Sequence, residues 1–255
     1  MGRIVFTVCL LSQLFFWDLR LKLTKIVSTK RVRRYIANNI SRMAQKLFAF
    51  ARLYVGLHLS IDRSGEATLP ESFVIVSNHQ SLIDIAAILA AFPDRRLRFV
   101  AKRQLAYGFP AVSPILRYER HALINRGKNF AASMRAIKRV AKQAQSGICP
   151  VVFPEGTRSR DGVVRRFRAG ATRTIASVRK LPILGVAVEG GYRLSTMGDL
   201  AKNAGRTVYR VATVGLAQAP KNKHEMETVL AEMQSLIESK ISVWRGPVVS
   251  PAGQR

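Results

Sequence analysis

Cysteine and histidine are scarce in this sequence, and their scarcity excludes several classes of protein. The chain of 255 residues has two cysteines, Cys9 and Cys149, which are too few for a disulfide framework and indicate a reducing compartment. Its four histidines are scattered, without a spacing typical of a zinc site. Walker, G-x-S-x-G and C-x-x-C patterns are absent from the sequence, as are internal repeats. The sequence therefore predicts neither a disulfide scaffold nor a metal site.

Acidic residues are also few, and the resulting charge limits the partners of the protein. Only 15 Asp and Glu residues stand against 42 Lys and Arg residues, which gives a formal net charge of +27. Such a charge requires an acidic partner: nucleic acid, anionic lipid, a phosphorylated substrate or an acidic carrier protein. A nucleic-acid-binding protein is a remote alternative, because the sequence has no RNA-recognition or helix-turn-helix signature and begins with an apolar segment. We therefore expect no nucleic acid partner.

A long hydrophobic run is missing as well. Residues 4–17 are mostly apolar, but these fourteen residues fall short of the roughly 20 that a membrane span needs. Basic residues follow, and apolar residues then recur every three or four positions through residues 36–57, which predicts an amphipathic helix. We expect residues 1–57 to form a helical unit that docks on anionic membrane lipids, with its basic residues at the cytoplasmic face.

Two alternatives remain open for this segment. The apolar stretch of residues 4–17 is compatible with a signal peptide, although the charge before it is slight and no clear cleavage site follows it. The predicted amphipathic helix is equally compatible with packing of its apolar stripe on a domain core, which would leave its basic face in solvent.

The rest of the chain alternates predicted strands and helices. With 48% apolar residues, the chain is able to bury a substantial core. Apolar and β-branched runs predict strands at residues 57–62, 74–76, 97–101, 121–125, 149–153, 181–186 and 207–214. Helices are predicted at residues 85–91, 129–145, 170–180 and 225–244, and an irregular segment at residues 102–114. The alternation predicts a single α/β domain over residues 58–245, with a mainly parallel or mixed central sheet flanked by helices, followed by a flexible tail at residues 246–255.

A histidine follows the strand predicted at residues 74–76. His79 lies in the connection to the next helix, which is where active-site residues tend to lie in α/β folds. Asp84 is five positions later, so on one regular helix the two side chains would point apart. With His79 in the turn, Asp84 reaches back from the first helical turn, holds one imidazole N–H and leaves the other nitrogen to accept a proton. The alternative is that Asn78 or Ser81 caps the helix and that His79 is only a polar turn residue.

A second polar loop follows the strand predicted at residues 149–153. Residues 154–162 have the sequence Pro-Glu-Gly-Thr-Arg-Ser-Arg-Asp-Gly. Backbone N–H groups and a guanidinium in such a loop are suited to a phosphate. A tight structural turn with a local Glu–Arg pair is the alternative.

Four stretches of the sequence follow one another in an order that resembles a known family. They are similar to the four sequence blocks of the glycerolipid acyltransferases that acylate 1-acyl-glycerol-3-phosphate, and they comprise Asn78-His79 with Asp84, residues 102–127, residues 153–159 and residues 181–183. The first looks like that family's motif of a histidine, four residues and an aspartate, and the third is the most specific. The resemblance spans about residues 70–190. Gly185 departs from it, because the family commonly has a second proline there, and the second block is loose.

The resemblance implies direct transfer of an acyl group from a thioester to the free hydroxyl of 1-acyl-glycerol-3-phosphate, which gives phosphatidic acid without a covalent acyl-enzyme. It implies that His79 removes the hydroxyl proton and that Asp84 orients and stabilises the imidazolium. Arg126 and Arg158 would clamp the acceptor phosphate and so bring hydroxyl and thioester into one geometry.

Three further residues of the third block receive substrate-binding roles from the resemblance. Gly156 would permit close approach of the backbone to the substrate, Thr157 would donate a hydrogen bond, and Glu155 would position either an arginine or the acceptor. No metal or bound cofactor is implied, and the co-substrate is acyl-coenzyme A or acyl-carrier protein.

The resemblance also implies a location and a set of partners. We expect a membrane-associated enzyme of phospholipid biosynthesis on the cytoplasmic face of the inner membrane, with anionic lipids and a lysophospholipid acceptor as partners. The serious alternative keeps the fold and changes the acceptor to glycerol-3-phosphate or to the lyso form of an amino-acid lipid. In the latter case the two arginines would meet another anion, such as a carboxylate.

Overall fold

The computed structural model describes residues 2–64, 69–125, 129–144 and 147–246. Within these residues seven strands form one sheet in the order β1-β7-β6-β2-β5-β3-β4. The strands are β1 His58–Asp62, β2 Val74–Ser77, β3 Arg96–Lys102, β4 Ala122–Ile124, β5 Ile148–Val152, β6 Ile183–Glu189 and β7 Val208–Ala217. The α-helices are α1 Gly2–Val27, α2 Thr29–Val55, α3 Ile83–Ala91, α4 Val112–Tyr118, α5 Phe130–Gln143, α6 Gly170–Ala176, α7 Met197–Asn203 and α8 Lys223–Arg245. Short 3-10 helices cover Arg103–Ala106, Gly191–Leu194 and Ala204–Arg206.

The direction of the strands places the polar turns at one edge of the sheet. Neighbouring strands run parallel, except that β7 is antiparallel to β6. The carboxyl ends of β2, β5 and β6 therefore share an edge with the amino end of β7. These three strands are buried along their whole length, as expected for β-branched strands covered by helices on both faces. The predicted α/β fold with a mixed central sheet flanked by helices is confirmed.

Alternate side chains of the central strands enter two separate cores. Ile75 packs in a core that includes Phe48 of α2 and Ile88 of α3. Its neighbours Val74 and Val76 point to the other face, where α5, α6 and α8 supply the core. Both faces of the sheet are therefore covered, and the polar turns lie at the ends of the strands.

The N-terminal unit consists of two long helices packed against each other. Ser28 joins them and caps α2, because its hydroxyl accepts a hydrogen bond from the Lys30 N–H at 3.1 Å. Part of the predicted apolar stripe of α2 is covered, because Ile40 and Tyr54 pack against the core of the domain, whereas Phe50 is 36% exposed. The covered part agrees with the alternative considered above for this helix. Among the described residues, no helix combines the length and the apolar character that crossing a membrane requires.

Gly185, at which the fourth sequence block departs from the expected pattern, lies in a crowded part of the sheet. It lies on β6 beneath α8, and a Cβ there would come within 2.8 Å of Met233 Sδ and 2.8 Å of Val214 Cγ2. The pairing of β6 with β7 is also irregular between Gly185 and Val186. A glycine at this position therefore allows α8 to approach the sheet closely.

Two helices were not predicted from the sequence. α4 begins within the segment that was expected to be irregular. Its proline, Pro114, is compatible with a helix because it lies in the first turn, where the backbone N–H has no partner within the helix. α7 is short, but it carries a capping box formed by Thr196 and Asp199. The helix expected at residues 170–180 ends at Ala176, so α6 is shorter than predicted.

Candidate active site

The structure brings His79 and Asp84 together as the spacing of the sequence predicts. His79 lies in the turn after β2, and Asp84 lies in the first turn of α3. The distance between His79 Nδ1 and Asp84 Oδ2 is 2.7 Å. Because an ionised carboxylate accepts and does not donate, this contact fixes the proton on Nδ1 and leaves Nε2 as the nitrogen that is able to take up a proton. The His79 side chain is 13% exposed, whereas that of Asp84 is fully buried.

Asp84 accepts further hydrogen bonds that hold the turn. Its Oδ2 accepts from the backbone N–H groups of Gln80 at 2.6 Å and Ser81 at 2.8 Å. Its Oδ1 accepts from the hydroxyl of Tyr209, which is fully buried at the start of β7. Burial raises the pKa of Tyr209 well above its usual value of 10.0, and the Asp84 charge adds to this effect, so the phenol remains a donor. The carboxylate that orients His79 is thus itself fixed from two elements.

The imidazole of His79 is also held by aromatic stacking. The ring of Phe153 lies 4.0 Å from it, at an interplanar angle of 15°. Phe99 stacks behind Phe153 at 6.3 Å, and the buried His121 stacks against Phe99 at 5.8 Å. His121 Nδ1 accepts the Phe99 N–H at 2.9 Å, and burial lowers the pKa of His121 to about 3, so this histidine is neutral. The rings form a continuous column that restricts rotation of the His79 side chain.

The loop after β5 holds the backbone of His79 on both sides. The His79 N–H donates to Glu155 Oε1 at 2.7 Å, and the His79 carbonyl accepts from the Ser159 N–H at 2.7 Å. Glu155 Oε2 accepts from the Arg165 N–H at 3.1 Å. The third sequence block therefore fixes the position of the histidine turn.

Glu155 does not occupy the position expected of a substrate-binding residue. Its side chain lies beneath the loop and is only 3% exposed, because both of its oxygens bind backbone N–H groups. The arginine that it positions is Arg165, which it contacts through the backbone amide. Burial raises the pKa of Glu155 from 4.5 to about 7, and the two amide hydrogen bonds oppose this rise only in part. Glu155 is therefore a brace between two loop segments.

The other three residues predicted in this loop are open to a ligand. Gly156 adopts a φ of +76°, which favours glycine, and a Cβ there would meet no atom of the described residues within 4 Å. The backbone conformation, rather than crowding, therefore requires this glycine. Thr157 and Arg158 are exposed, and within the described parts of the chain neither makes a hydrogen bond or ion pair. Arg126, the other predicted clamp residue, lies outside the described residues.

A second polar network next to His79 was not predicted from the sequence. The amide of Gln80 donates from Nε2 to Glu189 Oε2 at 2.8 Å, and its Oε1 accepts from the Gly191 N–H at 2.9 Å. Glu189 in turn accepts from Arg245 Nε at 2.9 Å. Asn78 extends the pairing of β2 with β6, because its side chain bonds both the N–H and the C=O of Val188 at 2.9 Å.

Two of these residues carried a usable signal in the sequence. Gln80 and Asn78 flank the histidine, so a polar turn of this length could have suggested them. Tyr209, Glu189 and Arg245 come from β7, β6 and the end of α8, so their approach to the histidine turn depends on how distant elements pack. Gly191 was also not predicted, and the site requires a glycine there. A Cβ at this position would lie 2.6 Å from the Tyr209 hydroxyl and 2.8 Å from Asp84 Oδ1.

Substitution of Glu155 by glutamine should change how stability depends on pH. Since the pKa of Glu155 is about 7 in the folded protein and 4.5 when exposed, the folded state retains a proton that the unfolded state releases. This carboxyl therefore lowers the free energy of unfolding by about 1.4 kcal/mol for each pH unit between these two values. Thermal unfolding of both proteins from about pH 5 to pH 8 measures the effect. Relative to Glu155→Gln, the wild type should lose stability as the pH rises, and parallel curves would contradict the raised pKa.

This chain is similar to known proteins of one family. A family model described as Acyltransferase matches residues 60–189. A 1-acyl-sn-glycerol-3-phosphate acyltransferase of Cocos nucifera is 30% identical over 46% of this chain and 37% of its own length. A chloroplastic protein of the same description from Brassica napus is 28% identical over 60% of this chain and 44% of its own length. This chain therefore spans less than half the length of these two relatives.

Two longer matches extend the comparison. The 1-acyl-sn-glycerol-3-phosphate acyltransferase alpha of Bos taurus is 25% identical over 80% of this chain and 73% of its own length. The crystal structure of PlsC, the 1-acyl-sn-glycerophosphate acyltransferase of Thermotoga maritima, has a TM-score of 0.70 to this structure, covering 94% of this chain and 95% of that chain at 21% sequence identity. The two proteins share a fold. Because the family model covers about half of the sequence, including the turn of His79 and the loop after β5, the chain belongs to the Acyltransferase family.

Proposed function

We propose that this protein transfers a fatty acyl group from an acyl thioester to the free hydroxyl of 1-acyl-sn-glycerol-3-phosphate, which forms phosphatidic acid. The observation that carries the proposal is the 2.7 Å contact between His79 Nδ1 and the buried carboxylate of Asp84. It leaves Nε2 as a base beside a loop with an exposed guanidinium. The relatives described as acyltransferases acting on this acceptor support the choice of substrate.

The proposed mechanism is a direct transfer with His79 as general base. Nε2 takes the proton of the acceptor hydroxyl, the oxygen attacks the thioester carbonyl carbon, and the C–S bond breaks as the tetrahedral intermediate collapses. The imidazolium then returns its proton to the leaving thiolate. Asp84 holds the Nδ1 proton and stabilises the imidazolium, and three further hydrogen bonds hold its carboxylate in place.

The surroundings of His79 support a direct transfer. In the described part of the chain, the groups that hydrogen-bond His79 are Asp84, Glu155 and the Ser159 backbone, and no serine or cysteine side chain is among them. A covalent acyl-enzyme would need such a nucleophile beside the base. In this proposal the lipid hydroxyl takes that place.

The acceptor phosphate would bind at the loop after β5. Arg158 is exposed there without a partner in the described residues, and the next residue, Ser159, bonds the carbonyl of His79. A phosphate on this guanidinium would therefore hold the neighbouring glycerol hydroxyl close to Nε2. Thr157 would add a hydroxyl donor, and Arg126 remains a predicted second clamp.

We also propose that the N-terminal helices attach the enzyme to the cytoplasmic face of a membrane. α1 exposes a set of large apolar residues, namely Val8, Leu11, Phe15, Phe16, Leu19, Leu23 and Ile26. Basic residues of α1 and α2, including Lys22 and Arg31, accompany them. An exposed apolar face beside basic side chains suits insertion into the interface of an anionic bilayer, with the helix lying along its surface.

Replacing His79 by alanine should abolish most of the acyl transfer. Loss of a general base costs about 10²- to 10⁴-fold in kcat, whereas acceptor binding should largely persist. Initial rates with labelled acyl donors and a panel of acceptors, comprising lysophosphatidate, glycerol-3-phosphate and a lyso-amino-acid lipid, measure this effect and identify the acceptor. Wild-type turnover in the variant would contradict the role of His79 as base.

Replacing Arg158 by alanine should mainly raise the KM for the acceptor. A charge-assisted contact to phosphate contributes roughly 1.5–3 kcal/mol, so we expect about a tenfold or larger rise. Arg160→Ala is the matched control, because Arg160 is an exposed arginine two positions along the same loop. Equal KM values in the two variants would remove Arg158 from the phosphate site.

Introducing charge on α1 should release the protein from anionic vesicles. Phe15 and Phe16 are 64% and 57% exposed, so the double variant Phe15→Asp, Phe16→Asp should fold normally and lose apolar insertion. Val243→Asp, at an apolar position of α8 that is 76% exposed, is the control. Cosedimentation with phosphatidylglycerol-containing vesicles measures binding, and it should also be lost on deletion of residues 1–30. Full binding of the Phe15, Phe16 variant would refute attachment through α1.

A further inference from the structure

A cavity of about 350 Å³ opens next to the His79 site, on the far side of Glu189. Its lining comes from the carboxyl end of β6, the 3-10 helices Gly191–Leu194 and Ala204–Arg206, the amino end of β7 and the end of α8. These elements meet at the edge of the sheet that also carries the histidine turn. The cavity and the base therefore open near the same edge.

The lining of this cavity is strongly basic. Four arginines contribute to it, namely Arg193, Arg206, Arg210 and Arg245, and Glu189 is the one acidic residue of the lining. Glu189 is buried, and Arg245 binds it through two hydrogen bonds, from Nε to Oε1 at 2.9 Å and from Nη2 to Oε2 at 3.0 Å. The negative charge of Glu189 is therefore already matched by Arg245, and the positive charge of the other three arginines remains.

These three arginines have no carboxylate partner within the described residues. Arg193 Nε donates to the Tyr192 hydroxyl at 2.9 Å, and Arg210 Nη1 donates to the Trp244 carbonyl at 3.3 Å. Arg206 is exposed, and its side chain makes no hydrogen bond to the described part of the chain. Three guanidinium groups that converge on one cavity repel one another and leave most of their donors unused. Such an arrangement favours a ligand whose phosphate groups offer several oxygens as hydrogen-bond acceptors.

One aromatic residue, Trp244, contributes to the lining, and its side chain also packs partly against the core beneath α8. Trp244 lines the cavity and is half-buried, and Lys240 Nζ lies 5.6 Å from the centre of its ring. A flat indole beside several guanidinium groups is a combination that binds a nucleobase and its phosphates. A glycerol phosphate headgroup has no ring to use the indole.

The position of the cavity separates the two phosphate-bearing substrates. In the acceptor, one carbon separates the carbon of the reacting hydroxyl from the phosphate oxygen, so its phosphate must lie immediately beside His79. The cavity lies further away, because Gln80 and Glu189 stand in series between it and the histidine turn. In an acyl-coenzyme A donor, the long pantetheine arm separates the thioester from the nucleotide. This spacing fits a nucleotide in the cavity and a thioester at His79.

We infer that the cavity binds the nucleotide end of the acyl donor, with Arg193, Arg206 and Arg210 on its phosphates and Trp244 against its base. This inference rests on the proposed function, because it assumes an acyl thioester as donor. It makes a coenzyme A thioester, rather than an acyl-carrier protein, the co-substrate. It also gives the protein two separate anion sites: the loop of Arg158 for the acceptor and this cavity for the donor.

The test compares acyl donors with and without the nucleotide. The double variant Arg193→Ala, Arg206→Ala removes two guanidiniums that hold no ion pair in the described structure, and Arg139→Ala, on the exposed side of α5, removes a positive charge elsewhere. Initial rates are measured for the full chain with acyl-coenzyme A, with the same acyl group on pantetheine alone, and with acyl-carrier protein. Isothermal titration with coenzyme A measures binding without turnover.

We expect the double variant to raise the KM for acyl-coenzyme A about tenfold or more and to weaken coenzyme A binding equally. Its kcat, its acceptor KM and its rates with acyl-pantetheine should match those of Arg139→Ala. An unchanged KM for acyl-coenzyme A, or no binding of coenzyme A to the wild type, would overturn the inference. A rise in the acceptor KM would assign the cavity to the acceptor phosphate instead, and a rise confined to acyl-carrier protein would assign it to an acidic carrier.

The titration keeps the two proposals distinguishable. If the wild type transfers no acyl group to lysophosphatidate from any donor, the proposed function fails. Binding of coenzyme A that depends on Arg193 and Arg206 would still support the cavity as a nucleotide site. If transfer proceeds and coenzyme A binding does not depend on these arginines, the inference about the cavity alone fails.

Discussion

The carboxylate of Asp84 accepts hydrogen bonds from an imidazole, two backbone amides and a phenol, and the geometry of the site depends on it. A fully buried carboxylate is costly unless it is paired and hydrogen-bonded. Here the compensation comes from the turn after β2 and from β7, so the same contacts that offset the cost of burial also fix the turn. Once Asp84 is fixed, the tautomer of His79 and the position of its free nitrogen follow.

The loop after β5 complements this arrangement from the other side. It contacts His79 through the Phe153 ring, through the Glu155 carboxylate and through the Ser159 amide. Arg158 lies between Glu155 and Ser159, and its positively charged side chain faces outwards. One loop therefore supports His79 and presents Arg158, the residue proposed to bind the acceptor phosphate. The positions of these two side chains are coupled through the loop. A deformation of this loop would disturb proton transfer and acceptor binding together.

Sequence alone predicted the parts of the site that are local in the chain. The spacing of His79 and Asp84 required a turn before a helix, and β-branched runs identified the central strands. It did not predict Tyr209 or the Gln80–Glu189–Arg245 network, because their contacts depend on how distant strands pair. For α2, periodicity identified an apolar stripe but not the surface that covers it. The sequence left two roles open for Glu155, because a polar residue in such a loop gives the same pattern whether it faces a substrate or the protein interior.

The reversed direction of β7 has a consequence for how the protein is made. Tyr209 follows Asp84 by 125 positions in the chain, so a ribosome releases most of the polypeptide before the phenol is available. Until the last strand joins the sheet, the Asp84 carboxylate lacks one of its donors, and closing so long a loop is a slow step. A chain that ends early through a nonsense codon or proteolysis before β7 would retain the histidine motif and yet lack a completed site. A fragment of this protein that contains the histidine motif therefore need not have a complete catalytic site.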